Sequence, residues 1–352
     1  MPLMSVIAPI AKKATSVEHE DQVADLIVDA FRTAATYPQG VAALSLPLDV
    51  LGSTQTSFIA MDSDAFVPPI FGPAPLDLIS RLGKMIESAK LPVLLLGMRA
   101  SDPQTVAAIH TFLKKHPLPV LETFQAAGSI SRELKHLFFG RLGLFRNQPG
   151  DRLLAKSDLV ITVGFDPVEY DTNAWNVDGS KNIVHMDTQG CDFTFYYKPK
   201  LELLGAVDAT FKELVKVVSP TTELSESKTC ATIFEEFGAW KSTDRARPRE
   251  DSSVVHPLHY IATLQELAKD ENVVTCDVGT VYIYMCRYFF SYVPRHFLVS
   301  NGQQTLGVAL PWAIAASLNQ HPTDPSKRKK VISMSGDGGF MFTSMGLCLS
   351  YR

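Results

Sequence analysis

The sequence predicts an α/β protein: a Rossmann-like, doubly wound parallel sheet in the middle of the chain, followed by a second, incomplete α/β domain. Three observations carry this reading. Short unbroken apolar runs are separated by amphipathic segments of helix length, the pattern of parallel strands covered on both faces. A hydrophilic stretch, 221–253, divides that alternation into two parts. Beyond it, one apolar run ends in Gly336-Asp337-Gly338-Gly339, a turn of the kind that lets backbone approach a ligand.

The bulk properties agree. A chain of 352 residues has room for more than one core. With 46% hydrophobic and 20% charged residues it has an ordinary globular balance. A net charge of -4 gives no reason to expect nucleic acid or an anionic membrane as partner, which leaves small molecules. Cys191, Cys230, Cys276, Cys286 and Cys348 are scattered, without Cys-x-x-Cys or a nearby His cluster, so they read as buried free thiols of a reducing compartment rather than a zinc or disulfide framework. The apolar Met4–Ile10 segment is too short to span a membrane and has its lysines on the wrong side for a secretory signal. A cytoplasmic protein is expected, or an organellar one if a transit peptide precedes this sequence.

Residues 1–55 read as the end of a domain, with one helix (Val23, Ile27, Phe31 and Ala34 at helical spacing) and one apolar strand that Pro47 ends or places at an edge. Residues 52–75 are a proline-marked linker. The middle domain, 74–218, alternates helices around Ile79, Leu82 and Ile86 and around Val106, Ile109 and Leu113 with strands at 92–96, 119–124, 159–163 and 183–186, and closes on a helix at 208–218. Residues 219–255 are the linker. From 256 to 352 the alternation resumes, with helices at 257–269, 281–288 and 308–317 and strands at 273–277, 297–300 and 330–335. This doubly wound domain stops just after the last of these strands and so reads as incomplete.

Within VISMSGDGGFMF (331–342), the glycines admit a ligand, the following helix start offers free N–H groups, and Asp337 adds a hard oxygen suited to magnesium beside phosphate oxygens. The alternative is a tight turn with no ligand. In SNGQQTLGVALPWAIAAS (300–317), Gly302 follows a strand and Leu306 projects from a polar turn; that leucine either belongs to the core or supports a cofactor ring. In the middle domain Gly97 and Gly164 end strands without forming a Gly-x-Gly-x-x-Gly fingerprint, so a structural role is preferred to nucleotide binding. Arg146, Asn147, Gln148 and Asp151 either border a substrate pocket or cap a helix beginning near Asp151, the capping role being slightly preferred.

Together the two glycine-bearing segments resemble thiamine-diphosphate-dependent enzymes, and their wording resembles acetolactate synthases. The resemblance extends to LPVLLLGM (91–98), LPVLETFQAAG (118–128), FGRLGLFRNQPGD (139–151) and VGFDPVEYD (163–171), covers roughly 20–345, and is nearer the catabolic kind that works without FAD. It implies a thiamine-diphosphate-binding domain after 256, with thiamine diphosphate and Mg²⁺ as cofactors. It also implies decarboxylation of pyruvate and ligation to a second pyruvate, giving 2-acetolactate, in a homodimer or homotetramer whose active sites lie between two chains. Carried over by position, Asp337 would be a magnesium ligand and Gly336, Gly338 and Gly339 would shape the diphosphate pocket. Leu306 would hold the cofactor bent, the Gln304 carbonyl would accept from its pyrimidine amino group, and Gly279 and Thr280 would lie near the diphosphate.

The family's catalytic glutamate falls in a domain of which this chain would hold only the end, so no catalytic residue is assigned. The second magnesium ligand, an asparagine, would lie past Arg352. Val281 and Tyr282 stand where the family often has a histidine, and GLCLSYR after Met345 leaves its acidic helical pattern. The chain thus reads as a piece truncated at both ends and inactive alone. Two alternatives are a non-catalytic chain that associates with intact subunits, and a decarboxylase of another 2-oxo acid.

Overall fold

A computed structural model describes residues 3–53, 62–144, 148–219, 228–245, 255–320 and 324–349. It divides into two compact units, Met1–Gly72 and Pro73–Arg352. The first contains α1 (Leu3–Ile7), β1 (Lys13–Ser16), α2 (Val23–Ala35), β2 (Ala42–Ser45) and α3 (Leu48–Gly52). β1 and β2 pair in parallel, with Lys13 opposite Ala42, and α2 makes the crossover such a pair requires. The expectation of one helix and one strand here is therefore corrected. Lys-Ala-Thr-Ser carries no apolar run, so β1 is silent in the hydrophobic pattern. Pro47 does end β2 and precedes α3 as its N-cap residue.

The second unit opens with a six-stranded parallel sheet in the order β5-β4-β3-β6-β7-β8. Its strands are β3 (Pro92–Leu96), β4 (Val120–Thr123), β5 (Phe138–Leu142), β6 (Leu159–Val163), β7 (Ile183–Asp187) and β8 (Leu201–Leu204). The helices are α4 (Leu76–Ser88), α5 (Pro103–Lys115), α6 (Pro149–Lys156) and α7 (Val207–Val217). Alternate side chains of β3 serve opposite faces, as a two-residue period requires. Leu94 and Leu96 pack with Ile79, Phe112 and Phe211, whereas Val93 and Leu95 pack with Leu121, Leu153 and Val160. Each fully buried aliphatic side chain contributes about 1.5–3 kcal/mol. The chain enters the sheet at β3, runs outward to β5, then crosses back to β6, so its direction reverses between β3 and β6.

Part of the segment read as linker is structured. Residues 228–245 form α8 (Lys228–Arg245), and Cys230, Ile233 and Phe237 are buried in the cores of the six-stranded sheet. Their spacing of three and four residues is a helical stripe, too narrow to register in so polar a segment. Residues 220–227 and 246–254 lie outside the described residues.

After α9 (Pro257–Leu267) come β9 (Val273–Cys276), α10 (Thr280–Tyr288), β10 (Phe297–Val299), α11 (Ala309–Leu318), β11 (Val331–Met334) and α12 (Asp337–Thr343). The sheet is parallel, in the order β10-β9-β11. It has three strands among the described residues, at the three apolar runs named from the sequence. Here too the direction reverses, between β9 and β11. No helix among the described residues is long and apolar enough to cross a membrane.

Candidate functional site

In open parallel sheets a ligand binds beyond the carboxyl ends of the strands where their order reverses. The second unit has two such places, and they are built in opposite ways.

At the β3/β6 reversal the crevice is filled. A Cβ at Gly97 would collide with the Gly164 carbonyl and the Phe165 main chain, and one at Gly164 would collide with the Ala100 amide. The buried Glu169 carboxylate accepts from the Met98 amide (3.0 and 3.1 Å), the Thr123 hydroxyl (2.6 Å) and the Asp166 amide (3.3 Å). Burial is the main force on this carboxyl and pushes its pKa up to about 7, against those hydrogen bonds. Arg99 crosses the same edge, pairing with Asp187 (2.8 Å) and Asp166 (3.0 Å) and donating to the Phe165 carbonyl. Gly97 and Gly164 are thus close-packing residues, where main chain lies against main chain.

At the β9/β11 reversal the edge is open. Gly279 (φ +123°) caps α10 without a side-chain bond, Gly336 caps α12, and a Cβ at Gly279, Gly336 or Gly338 would meet nothing within 4 Å. Thr280 and Asp337 are exposed there. The loop after β10 carries Gln304 in a left-handed conformation (φ +50°) and Leu306, which is 42% exposed and so does not belong to the core. All eight residues singled out in the sequence lie on three loops, or in the first turn of the helices that follow them, at the carboxyl edge of one sheet. Gly339 differs from its neighbours: it is buried, and a Cβ on it would collide with the Asp277 carboxylate.

Asp277 is the residue that the motif reading passed over. Fully buried at the end of β9, it accepts from the Gly307 amide through both oxygens (2.9 and 3.0 Å) and from the Val278 amide (3.0 Å). One carboxylate therefore joins all three loops: its own, the Gln304–Leu306 loop through Gly307, and the glycine turn through Gly339. The Thr343 hydroxyl of α12 donates to the Gly307 carbonyl (3.0 Å) and closes the same junction. A carboxylate directly after the buried Val-Val-Thr-Cys run was the available signal, since buried charge at a strand end needs a set of donors.

A cleft of about 260 Å³ lies beside this loop, lined by Val168, Tyr170, Asp171, Asn301 and Gln304. A larger groove, about 610 Å³, runs between Met98 and Trp312 and is lined by none of the eight residues. Gln148 and Asp151 form a reciprocal cap on α6: the Gln148 amide donates to the Asp151 carboxylate (2.7 Å). Arg146 and Asn147, the other half of that polar cluster, lie outside the described residues. Tyr282 is buried beneath the site, in T-shaped contact with Phe124. Among the described residues no group of three or more His, Cys, Asp or Glu side chains could hold a metal. Cys191, Cys230, Cys276 and Cys286 are not joined in disulfides.

An open reversal edge with unfilled backbone at three glycines, a start of α10 that no side chain caps and an exposed carboxylate define a parallel α/β protein with an edge suited to a phosphate-bearing ligand. The chain belongs to the thiamine pyrophosphate enzymes: residues 79–214 match their central domain and residues 277–350 their C-terminal TPP-binding domain. It is 42% identical to the acetolactate synthase of Bacillus subtilis (strain 168), over 99% of this chain and 59% of that protein. It is 34% identical to the catabolic acetolactate synthase of Raoultella terrigena, over 100% of this chain and 61% of that protein. To the large subunit of acetolactate synthase isozyme 1 of Escherichia coli (strain K12) it is 26% identical, over 95% of the chain and 56% of the relative. The chain thus spans about three fifths of the length of the first two relatives.

Proposed function

We propose that the protein carrying this chain is an acetolactate synthase, which joins two molecules of pyruvate into 2-acetolactate and carbon dioxide. The observation that carries this reading is the 42% identity across 99% of the chain to a protein of that name, with the open β9/β11 edge in the part that matches the cofactor-binding domain. When bound, thiamine diphosphate supplies a carbon nucleophile and an electron sink for decarboxylation. This chain's residues hold and shape that cofactor. Gly279, Thr280, Gly336 and Gly338 give backbone access to the diphosphate. Asp337 is a ligand for Mg²⁺, which characteristically takes one or two carboxylates and completes its shell with phosphate oxygens and water; a lone exposed carboxylate at an open edge fits that donor set. The Gln304 carbonyl would accept from the cofactor's pyrimidine amino group, and Leu306 would give its rings apolar support.

We further propose that FAD is not a cofactor. The filled crevice at the β3/β6 reversal supports this, since that is where a dinucleotide would be expected. The higher identity to the catabolic relative, 34% against 26% for the isozyme 1 large subunit, supports it as well. The protein is expected in the cytoplasm as a homodimer or homotetramer. The test is an assay of the full-length protein with pyruvate, thiamine diphosphate and Mg²⁺. Acetolactate should form without added FAD, and pyruvate consumption without acetolactate would sink the reading.

A further inference from the structure

The loop that carries Gln304 and Leu306 is exposed from Gly302 to Leu306 and fixed at its two ends. Asp277 holds the far end through Gly307. At the near end stands Asn301, whose side chain makes two hydrogen bonds to two different parts of the molecule. Its amide nitrogen donates to the main-chain carbonyl of Glu169 (3.1 Å), and its amide oxygen accepts from the Tyr282 hydroxyl on α10 (3.0 Å). The orientation of the amide is settled by chemistry, because the Glu169 carbonyl can only accept. Burial raises the pKa of the Tyr282 hydroxyl, so it remains a donor.

The carbonyl that receives Asn301 is itself immobilised. Glu169 is pinned by its side chain to the ends of β3 and β4 through the Met98 amide and the Thr123 hydroxyl. Beside it, the Val168 side chain lies 3.3 Å from where a Cβ on Gly302 (φ +75°) would stand, so it flanks the loop closely at that glycine. Tyr282, for its part, is buried, and its hydroxyl is committed to this contact rather than to the open edge.

We propose that Asn301 is a positioning residue that locks the cofactor-facing loop to the middle domain, so that the filled crevice there serves as the anchor for the open one. This role rests on the reading of Gln304 and Leu306 as cofactor-supporting residues; the bracing of the loop itself does not. Asn301 does not touch the reacting atoms. It sets where the Gln304 carbonyl and the Leu306 side chain stand.

Two measurements on the full-length protein separate these claims. Hydrogen exchange without ligand reads the brace. Asn301→Ala should speed exchange about tenfold at the protected Thr305 and Gly307 amides, while Tyr282→Phe should speed it about threefold, since each lost bond has a modest net worth. The double variant should be no worse than Asn301→Ala alone, because the hydroxyl has already lost its acceptor. Titration with thiamine diphosphate and Mg²⁺ then reads the consequence. Asn301→Asp, which keeps the acceptor but loses the donor, should lower kcat about tenfold with pyruvate KM within about twofold. Unchanged exchange at Thr305 and Gly307 in Asn301→Ala, or additive effects in the double variant, would overturn the brace. Faster exchange in a protein that binds no cofactor would leave the brace standing and sink the functional reading instead. Normal kcat in folded Asn301→Asp despite faster exchange would overturn the positioning role.

Discussion

The two strand-order reversals of this chain obey one topological rule and come out opposite. At β3/β6 glycine is used so that main chain can touch main chain, and the space a ligand would take holds Glu169 and Arg99. At β9/β11 glycine faces open space, and the one buried carboxylate, Asp277, is turned inward to tie the loops together. A glycine at the end of a parallel strand therefore does not identify a binding site; what a Cβ would meet there does.

The largest expected effect tests the open side. Asp337→Ala in the full-length protein should weaken Mg²⁺-dependent binding of thiamine diphosphate by about a hundredfold or more, beyond the range lost with a merely supporting contact. Calorimetric titration at fixed Mg²⁺ measures it, and unchanged affinity would leave the glycine turn without its assigned role.

A pair of glycine substitutions sharpens the contrast. Gly97→Ala should destabilise folding by about 3 kcal/mol, the upper part of the usual overpacking range, because main chain cannot yield as a side-chain tip can. Gly336→Ala should leave stability within about 0.5 kcal/mol, since its φ of -74° is ordinary and nothing stands within 4 Å. It should nonetheless weaken the cofactor about tenfold. Denaturant melts and cofactor titrations of both proteins give the comparison, and equal destabilisation by the two would erase the distinction drawn between the edges.

The filled side has a pH signature. Glu169 has its pKa raised to about 7 in the folded protein, above its value in an unfolded chain, so the folded state holds the proton more tightly. Its contribution is therefore full below about pH 4.5 and is lost as pH rises through about 7, an amount on the order of 3 kcal/mol. Glu169→Gln, which mimics the protonated form, should about halve the fall in stability between pH 5 and 8, the rest belonging to the buried Glu122, whose pKa burial also pushes up to about 7. An equally steep fall in the variant would assign the dependence to another group.

The smallest structural effect is expected at Leu306. Leu306→Ala should change stability by no more than about 0.5 kcal/mol, as its exposure suggests. Turnover should fall about tenfold, from lost apolar support, with Mg²⁺ binding unchanged.

Much of this arrangement was legible in the sequence, and what was not has physical reasons. Strands buried on both faces, such as Pro92–Leu96 and Leu159–Val163, announce themselves as unbroken apolar runs. β5 did not, because Gly140 and the buried Arg141 interrupt it. That arginine pairs with Glu122 and donates to the carbonyls of Cys286 and Phe289, partners distant in sequence. β8 is a four-residue edge strand whose apolar run Glu202 breaks, and α8 shows only a narrow stripe. At the site, the glycine turns were readable because their chemistry is local. Asp277 and Asn301 were not, since their roles depend on Gly307, Gly339 and Glu169, which only folding brings to them.

The helix α8 also decides how this molecule can be divided. Its Phe237 ring packs edge-on against Phe138 of β5 and against Phe290 from beyond α10, while Phe234 meets Phe139. The outer edge of the six-stranded sheet is thus covered by chain made long after the strands themselves. A polypeptide that ended at 218 would present Phe138 and Phe139 beside an unpaired strand, the combination that recruits other copies into aggregates. During synthesis the same edge stays uncovered until α8 has emerged, which makes that interval the one in which a chaperone has something to hold.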